Sequence, residues 1–241
     1  MATNNQNFNY IRFLDDKNIR YFNYITHINN LGSILERGIY SRNKIIELNI
    51  PFYRIDYERV QSTRIRNIKK KYGFHIHDYV PLFFSTHAPM LYVICNPKNG
   101  RKFKGLDPEG KVISVSRNDI AILKIDRKIL VVNGARFSNK NCACNDVELY
   151  SDVSDLPKLN WLDICRKSPP IPKYCSSPKR EYILRMWKLN KAAEILVPDI
   201  VPLKFIRRVV VVNQKIKNIL DRKINTIDSS KVFVDEEEFS W

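Results

Sequence analysis

The chain has 241 residues, of which 41 are Lys or Arg and 25 are Asp or Glu, giving a formal net charge of +16. With 44% hydrophobic and 11% aromatic residues, it can fill a packed core, which excludes an intrinsically disordered chain. No run approaches the roughly 20 apolar residues of a membrane span, the opening Met-Ala-Thr-Asn-Asn-Gln is not a secretory signal, and five irregularly spaced cysteines make no disulfide framework; a cytoplasmic, strongly basic globular protein is expected.

In chain order, residues 20–28 are aromatic and β-branched and predict a strand. Asn29 and Asn30 then cap a short helix with Leu31, Ile34 and Leu35 on one face and Gly38 as its stop. Residues 54–71 predict a basic helix anchored by Ile55, Val60 and Ile65. Residues 79–84 predict a buried strand, and Met90 to Cys95 fit helix or strand equally. Further strands are predicted at 112–115, 121–125 and 130–132.

From about 136 to 190, Pro157, Pro169, Pro170, Pro172 and Pro178 stand among polar residues, which predicts a long, loop-rich excursion of the kind that is functional or disordered. Regular structure returns with strands at 193–197 and 206–212, a helix over 214–222 and a last edge strand at 231–234. Many short strands with few helices give an α+β fold, read as a single domain over 1–241. Seven glycines supply neither the dinucleotide fingerprint nor the P-loop.

The charge is clustered. Arg59, Arg64, Arg66, Lys69, Lys70 and Lys71 form one group, Lys179, Arg180, Arg185, Lys188 and Lys191 another, and the acidic run Asp235 to Glu238 stands near the C-terminus. Such clusters suit nucleic-acid phosphates; the alternative is a solvated basic surface. His75 and His77, alternate residues read as part of a strand, would face one side as metal ligands do. No second pair completes a zinc site, and Cys142, Cys144, Cys165 and Cys175 read as free thiols, so no metal is expected. Cys–His nucleophilic catalysis has no local signature among the five thiols and His27, His75, His77 and His87.

Two polar residues carry more. Glu194 enters the strand Ile195-Leu-Val197 directly after the irregular stretch, where ionisation is costly without a donor; a solvent-facing cap is the alternative role. Arg64, in Gln61-Ser-Thr-Arg64-Ile-Arg66, sits on the basic helix, where most arginines are solvated.

Four stretches together resemble the DarT family of DNA ADP-ribosyltransferase toxins over roughly residues 20 to 215. Tyr24-Ile-Thr-His27-Ile-Asn-Asn-Leu31 is similar to that family's His-Ile-Thr-His-Ile-Asp-Asn-Leu segment. Ile55-Asp-Tyr57 through Gln61-Ser-Thr-Arg64-Ile-Arg66 resembles the basic helix that closes over NAD. His77-Asp-Tyr-Val-Pro-Leu-Phe-Phe84 with Ala88-Pro-Met-Leu-Tyr-Val-Ile94 is the most specific match. Ala192-Ala-Glu194-Ile-Leu-Val-Pro198 resembles the stretch holding the family's catalytic glutamate.

The resemblance implies an ADP-ribosyltransferase-like fold with a central split antiparallel or mixed sheet, flanking helices and a long target-recognition loop between about 136 and 193. It implies NAD+ as co-substrate without a metal, Glu194 and Arg64 as catalytic residues, and Tyr24, Ile25, Thr26, Ser33 and Tyr40, with Arg64, around NAD. Tyr24 replaces the family's first His, and a phenol can still donate or accept a hydrogen bond. Tyr79 is expected to stack on bases while Arg66, Lys69, Lys70 and Lys71 track phosphates. The implied acceptor is a base of single-stranded DNA; the same chemistry on single-stranded RNA and a catalytically idle nucleic-acid-binding module are the alternatives. A toxin of this kind, in toxin–antitoxin and phage-defence settings, implies an antitoxin partner that removes ADP-ribose, an ADP-ribosylglycohydrolase.

Overall fold

The alternating, β-branched stretch after Arg20 forms the strand around which the fold is arranged. In the computed structural model, which describes residues 8–96, 102–224 and 228–240, β1 is Tyr21–His27, preceded by α1 (Tyr10–Asp16). The chain continues through α2 (Leu31–Arg37), β2 (Ile39–Tyr40), α3 (Arg42–Glu47), α4 (Glu58–Tyr72), β3 (Tyr79–Phe83) and α5 (Pro89–Cys95). A hairpin of β4 (Phe103–Leu106) and β5 (Val112–Val115) leads to β6 (Ile120–Asp126), β7 (Arg136–Ser138) and β8 (Leu149–Tyr150). Helices α6 (Trp161–Cys165) and α7 (Ser177–Lys191) precede β9 (Glu194–Pro198), β10 (Ile200–Val201), β11 (Ile206–Val211), α8 (Gln214–Lys223) and β12 (Val232–Val234).

Eight strands form one mixed sheet in the order β12–β11–β6–β1–β3–β9–β7–β8, in which β11 and β12 run parallel and the other neighbours antiparallel. The sheet is split. β1 pairs with β6 from Tyr21↔Asp126 to His27↔Ile120, and β3 with β9 from Tyr79↔Pro198 to Phe83↔Glu194, but β1 meets β3 only at Asn23↔Phe83. There the buried Asn23 amide donates to the Phe83 and Phe84 carbonyls at 3.2 and 3.3 Å. A split mixed sheet with flanking helices is the expected α+β architecture.

The main core draws on residues from Leu14 to Phe239. A second, smaller core of Ile68, Ile76, Cys142, Val147 and Leu196 binds α4 to β9. Gly38 ends α2 at a φ of +93°, and a Cβ there would lie 2.7 Å from the Val201 carbonyl oxygen, so only glycine lets β2 pair with β10.

Several expectations are corrected. Residues 130–132 are not a strand: the Asp126 side chain caps Lys128 N and turns Arg127–Val131 into a 3-10 helix. His77 belongs to a 3-10 turn, Ile76–Asp78, which the His75 side chain caps, and neither lies in a strand. The stretch from 136 to 190 is not a single irregular loop, since β7 joins the central sheet and α7 runs for 15 residues directly into β9. Pro178 misleads there because a proline in the first turn loses no helical hydrogen bond. The helix predicted at 54–71 starts at Glu58, and its buried residues are Arg64 and Ile68; Ile55 is buried before the helix, and Val60 is exposed. Pro89 at the first turn of α5 resolves Met90–Cys95 as helix.

Candidate active site

Helix α4 starts with Glu58 and ends with Lys69, Lys70 and Lys71 before a left-handed Gly73, a charge order that suits the helix dipole. Its buried positions, Arg64 and Ile68, are four apart and therefore lie on one face. Ile68 fills the small core, and Arg64, one turn earlier, forms a buried ion pair with Glu194 through Nη2 and Oε2. Glu194 opens β9 and is 2% exposed. Its N–H donates to Ser138 Oγ at 2.9 Å, and its Oε1 accepts the Cys142 N–H at 3.3 Å.

Burial pushes the Glu194 carboxyl above the ordinary carboxylate range, opposed by the Arg64 guanidinium and the Cys142 N–H. The Cys142 thiol is pushed up by its own burial and by Glu194, so it stays neutral. Arg64 Nη1 donates to Gln61 Oε1 at 3.4 Å, and the same oxygen lies 3.1 Å from His77 Nε2. Since Gln61 Oε1 can only accept, His77 carries a proton on Nε2. Burial, with Arg42, Arg64 and His75 nearby, lowers the His77 pKa to about 4, so the ring is neutral at physiological pH.

Arg64 also lines a cleft of about 300 Å³ beside the split, with Tyr24 of β1, Tyr40 of β2, Arg42, Arg54, Asp56, Gln61, His77, and Tyr79 and Pro81 of β3. Arg54 Nη2 bonds Asp56 at 2.9 Å and Glu58 at 2.5 Å, and Arg42 approaches the same carboxylates at 3.7 and 3.5 Å. Arg42 Nη1, Arg54 Nε and Arg64 Nε are buried without a hydrogen-bond partner among the described residues. Three guanidinium groups gathered around one cleft, each with a buried N–H short of a hydrogen bond, suit an anion such as a diphosphate.

The structure thus brings together Glu194, Arg64, Tyr24, Tyr40 and Tyr79. Burial, with Asp56 nearby, raises the Tyr24 phenol pKa, keeping it a neutral donor. Ile25 belongs to the main core, and Thr26 accepts the Asn30 amide at 3.0 Å; neither is among the residues around the cleft, nor is Ser33 on α2. Tyr79 packs against Phe74 at 4.9 Å and lines the cleft itself. Arg66, Lys69, Lys70 and Lys71 are exposed on α4, although Lys71 Nζ donates to the Val147 carbonyl at 2.6 Å. In the second basic cluster, Lys191 is buried and donates to the Ile164 and Arg166 carbonyls, so it cannot meet phosphates. Among the described residues, no three His, Cys, Asp or Glu side chains gather as metal ligands.

Sequence reading missed Arg42, Arg54 and Asp56 as site residues and took His77 only as a possible ligand. The alternation Arg54, Asp56, Glu58 leading into α4 was the one available signal. Arg42 joins through tertiary packing alone.

A family model described as "ssDNA thymidine ADP-ribosyltransferase, DarT" matches residues 23–240. A DNA ADP-ribosyl transferase of Thermus aquaticus is 26% identical over 201 residues, 80% of this chain and 76% of that protein. A DNA ADP-ribosyl transferase–DNA ADP-ribosyl glycohydrolase fusion protein of Thermosipho africanus is 24% identical over 205 residues, 84% of this chain and 45% of the fusion. Thermus sp. 2.9 DarT in complex with ADP-ribosylated ssDNA superposes with a TM-score of 0.69 at 20% identity, covering 92% of this chain and 96% of that one. The same protein in complex with NAD+ gives 0.62 at 19% identity, covering 91% and 97%. These likenesses establish a shared fold.

Proposed function

The chain belongs to the DarT family of single-stranded DNA thymidine ADP-ribosyltransferases, and we propose that it transfers ADP-ribose from NAD+ to a thymine base of single-stranded DNA, releasing nicotinamide. The observation that carries this reading is the buried Arg64–Glu194 pair behind a cleft with three unsatisfied arginine donors. One structural relative, Thermus sp. 2.9 DarT, has been solved in complex with NAD+ and with ADP-ribosylated ssDNA.

In this reading Arg42 and Arg54 receive the diphosphate and Tyr24 donates to a ribose. Ile25 and Thr26 serve as the buried body of β1, and Ser33 has no direct contact. The bond between the anomeric carbon and the nicotinamide nitrogen breaks, and its electron pair leaves with nicotinamide. A thymine in DNA has one ring N–H; that nitrogen forms the new bond and its proton passes to solvent. Glu194 orients the ribose hydroxyls and stabilises the oxocarbenium-like charge. Arg64 lies between Glu194 and the cleft, so substrate binding loosens the pair and frees the carboxylate. Arginine stays protonated, so Arg64 stabilises the anionic base rather than removing its proton.

The loop between β7 and β8 reads the target beside Glu194, while Arg66, Lys69 and Lys70 hold backbone phosphates. The reading treats 1–241 as one transferase domain, supported by a core drawn from Leu14 to Phe239. It makes the protein a cytoplasmic toxin of a toxin–antitoxin or phage-defence pair whose partner removes ADP-ribose; the Thermosipho africanus fusion carries a glycohydrolase in the same chain. No helix among the described residues is long and apolar enough to cross a membrane.

The test is biotinylated NAD+ incubated in parallel with single-stranded DNA, duplex DNA, RNA and protein. Label is expected on single-stranded DNA. Label on RNA or protein with DNA untouched overturns the reading.

A further inference from the structure

A second cleft, of about 560 Å³, opens at the other end of the split. The first takes Tyr79 and Pro81 from the start of β3, whereas this one takes Phe84 and the residues that follow β3. Its walls include Arg208, Lys124 and Asn23, and these three share a register line with the site. Arg208 pairs with Lys124, Lys124 with Asn23, Asn23 with Phe83 and Phe83 with Glu194. At about 4.8 Å per strand, the backbone of Asn23 lies about 10 Å from that of Glu194.

The chemistry of this cleft is that of a phosphate track. Its five Lys and Arg side chains outnumber its two carboxylates, of which Glu238 bonds Lys124 Nζ at 2.7 Å through Oε1 and Asp235 accepts from the Glu237 and Glu238 N–H groups. Lys17, Arg20, Lys167 and Arg208 have no carboxylate partner among the described residues. The Arg208 guanidinium lies over both Tyr21, at 5.4 Å, and Phe233, at 4.6 Å. Stacking leaves its N–H edge free for a phosphate and holds it in place. Ser85 and Thr86 add hydroxyl donors. Cations beside aromatic faces are how proteins grip single strands.

We propose that this cleft seats the phosphodiester backbone of the single-stranded acceptor next to the base being modified. This rests on the transferase reading above and deepens it: NAD+ enters at one end of the split and the nucleic-acid strand at the other, with Glu194 at the end of the register line, two strands from Asn23.

The test uses the exposed pair Arg20→Ala and Lys167→Ala, which touch neither the Arg64–Glu194 pair nor the first cleft. A fluorescein-labelled oligothymidylate is titrated by anisotropy without NAD+ over a range of salt. Removing two phosphate contacts should lower the log–log salt slope by about 1.4 and weaken binding about tenfold at physiological salt. In turnover, KM for the oligonucleotide rises while KM for NAD+ holds. Ultraviolet cross-linking of the unmodified protein to the same probe should mark peptides containing Tyr21 or Phe233. Unchanged affinity and slope, cross-links confined to other peptides, or a raised KM for NAD+ in place of that for DNA would overturn the proposal. If the probe binds and cross-links as expected but no ADP-ribose is ever transferred, the transferase reading fails and the strand site stands.

Discussion

Arg64 and Glu194 are 130 positions apart in the chain and meet as a buried ion pair, each held by a separate element of the small core under α4. The pair decides what a substitution can report. Removing the carboxylate leaves a buried guanidinium uncompensated, at a cost of about 3–5 kcal/mol, so Glu194→Ala mixes catalysis with stability. Glu194→Gln keeps an acceptor for the Cys142 N–H and is the cleaner probe. It should lower transfer on the order of a hundredfold or more while the NAD+ Kd stays within a few fold, because the carboxylate is proposed to act on the transition state. Single-turnover rates and calorimetry check both, and a fully active Gln variant would return Glu194 to a structural role.

His77 gives a pH dependence of stability. Its folded pKa, about 4, lies below the ordinary histidine value of about 6.5, so the unfolded chain binds the proton first as pH falls. The His77 contribution is therefore complete above pH ~6.5 and is lost progressively as pH drops toward ~4. Denaturant unfolding of the protein and of His77→Gln should show a smaller loss between those values in the variant. Equal slopes would mean that the ring titrates alike in both states.

Arg42 and Arg54 set the next expectation. Arg54 has a buried Nε–H without an acceptor while its Nη2 is engaged by Asp56 and Glu58, and Arg42 has a buried Nη1 that only approaches Asp56, at 3.7 Å, while its Nη2 faces Glu58. A charge-assisted bond is worth about 1.5–3 kcal/mol, so Arg54→Ala should raise KM for NAD+ by roughly 10- to 100-fold with kcat little changed. Arg54→Lys should recover little of this, because an ammonium cannot reproduce the planar fork. A fall in kcat with KM unchanged would place Arg54 outside the binding machinery.

Local pattern carried much of this fold. The aromatic, β-branched run after Arg20 gave β1, and the Val run gave β11, although its first half is outward-facing. Glu194 was legible because a carboxylate before Ile195-Leu-Val197 must find a donor. The donor itself was not legible, since hydrophobic periodicity names Val60 and Ile65 and cannot see that α4 buries an arginine. Helix α7 was hidden by prolines that bear on its start and not its interior. Arg42, on α3, approaches Glu58 only through folding, and no spacing rule anticipates that.

The loop between β7 and β8 divides into an anchored part and a free part, and the two should behave differently. The Cys142 N–H bonds Glu194, Ala143 O accepts the Asn67 amide at 2.8 Å, and Val147 is buried in the small core. Asn145 and Asp146 are exposed, and Lys140 reaches Asp146 at 2.8 Å. A target base beside Glu194 would meet those exposed polar groups, and edge contacts discriminate bases by about 1–3 kcal/mol each. Asn145→Ala with Lys140→Ala should therefore change which sequences are modified by about tenfold or more, with hydrolysis of NAD+ preserved. Sequencing the modified sites in a randomised single-stranded library and measuring nicotinamide release in the same samples separates the two effects. An unchanged site preference would place target reading outside this loop. Deleting Cys142 and Ala143, by contrast, should reduce nicotinamide release itself, because it removes the N–H that holds the Glu194 carboxylate.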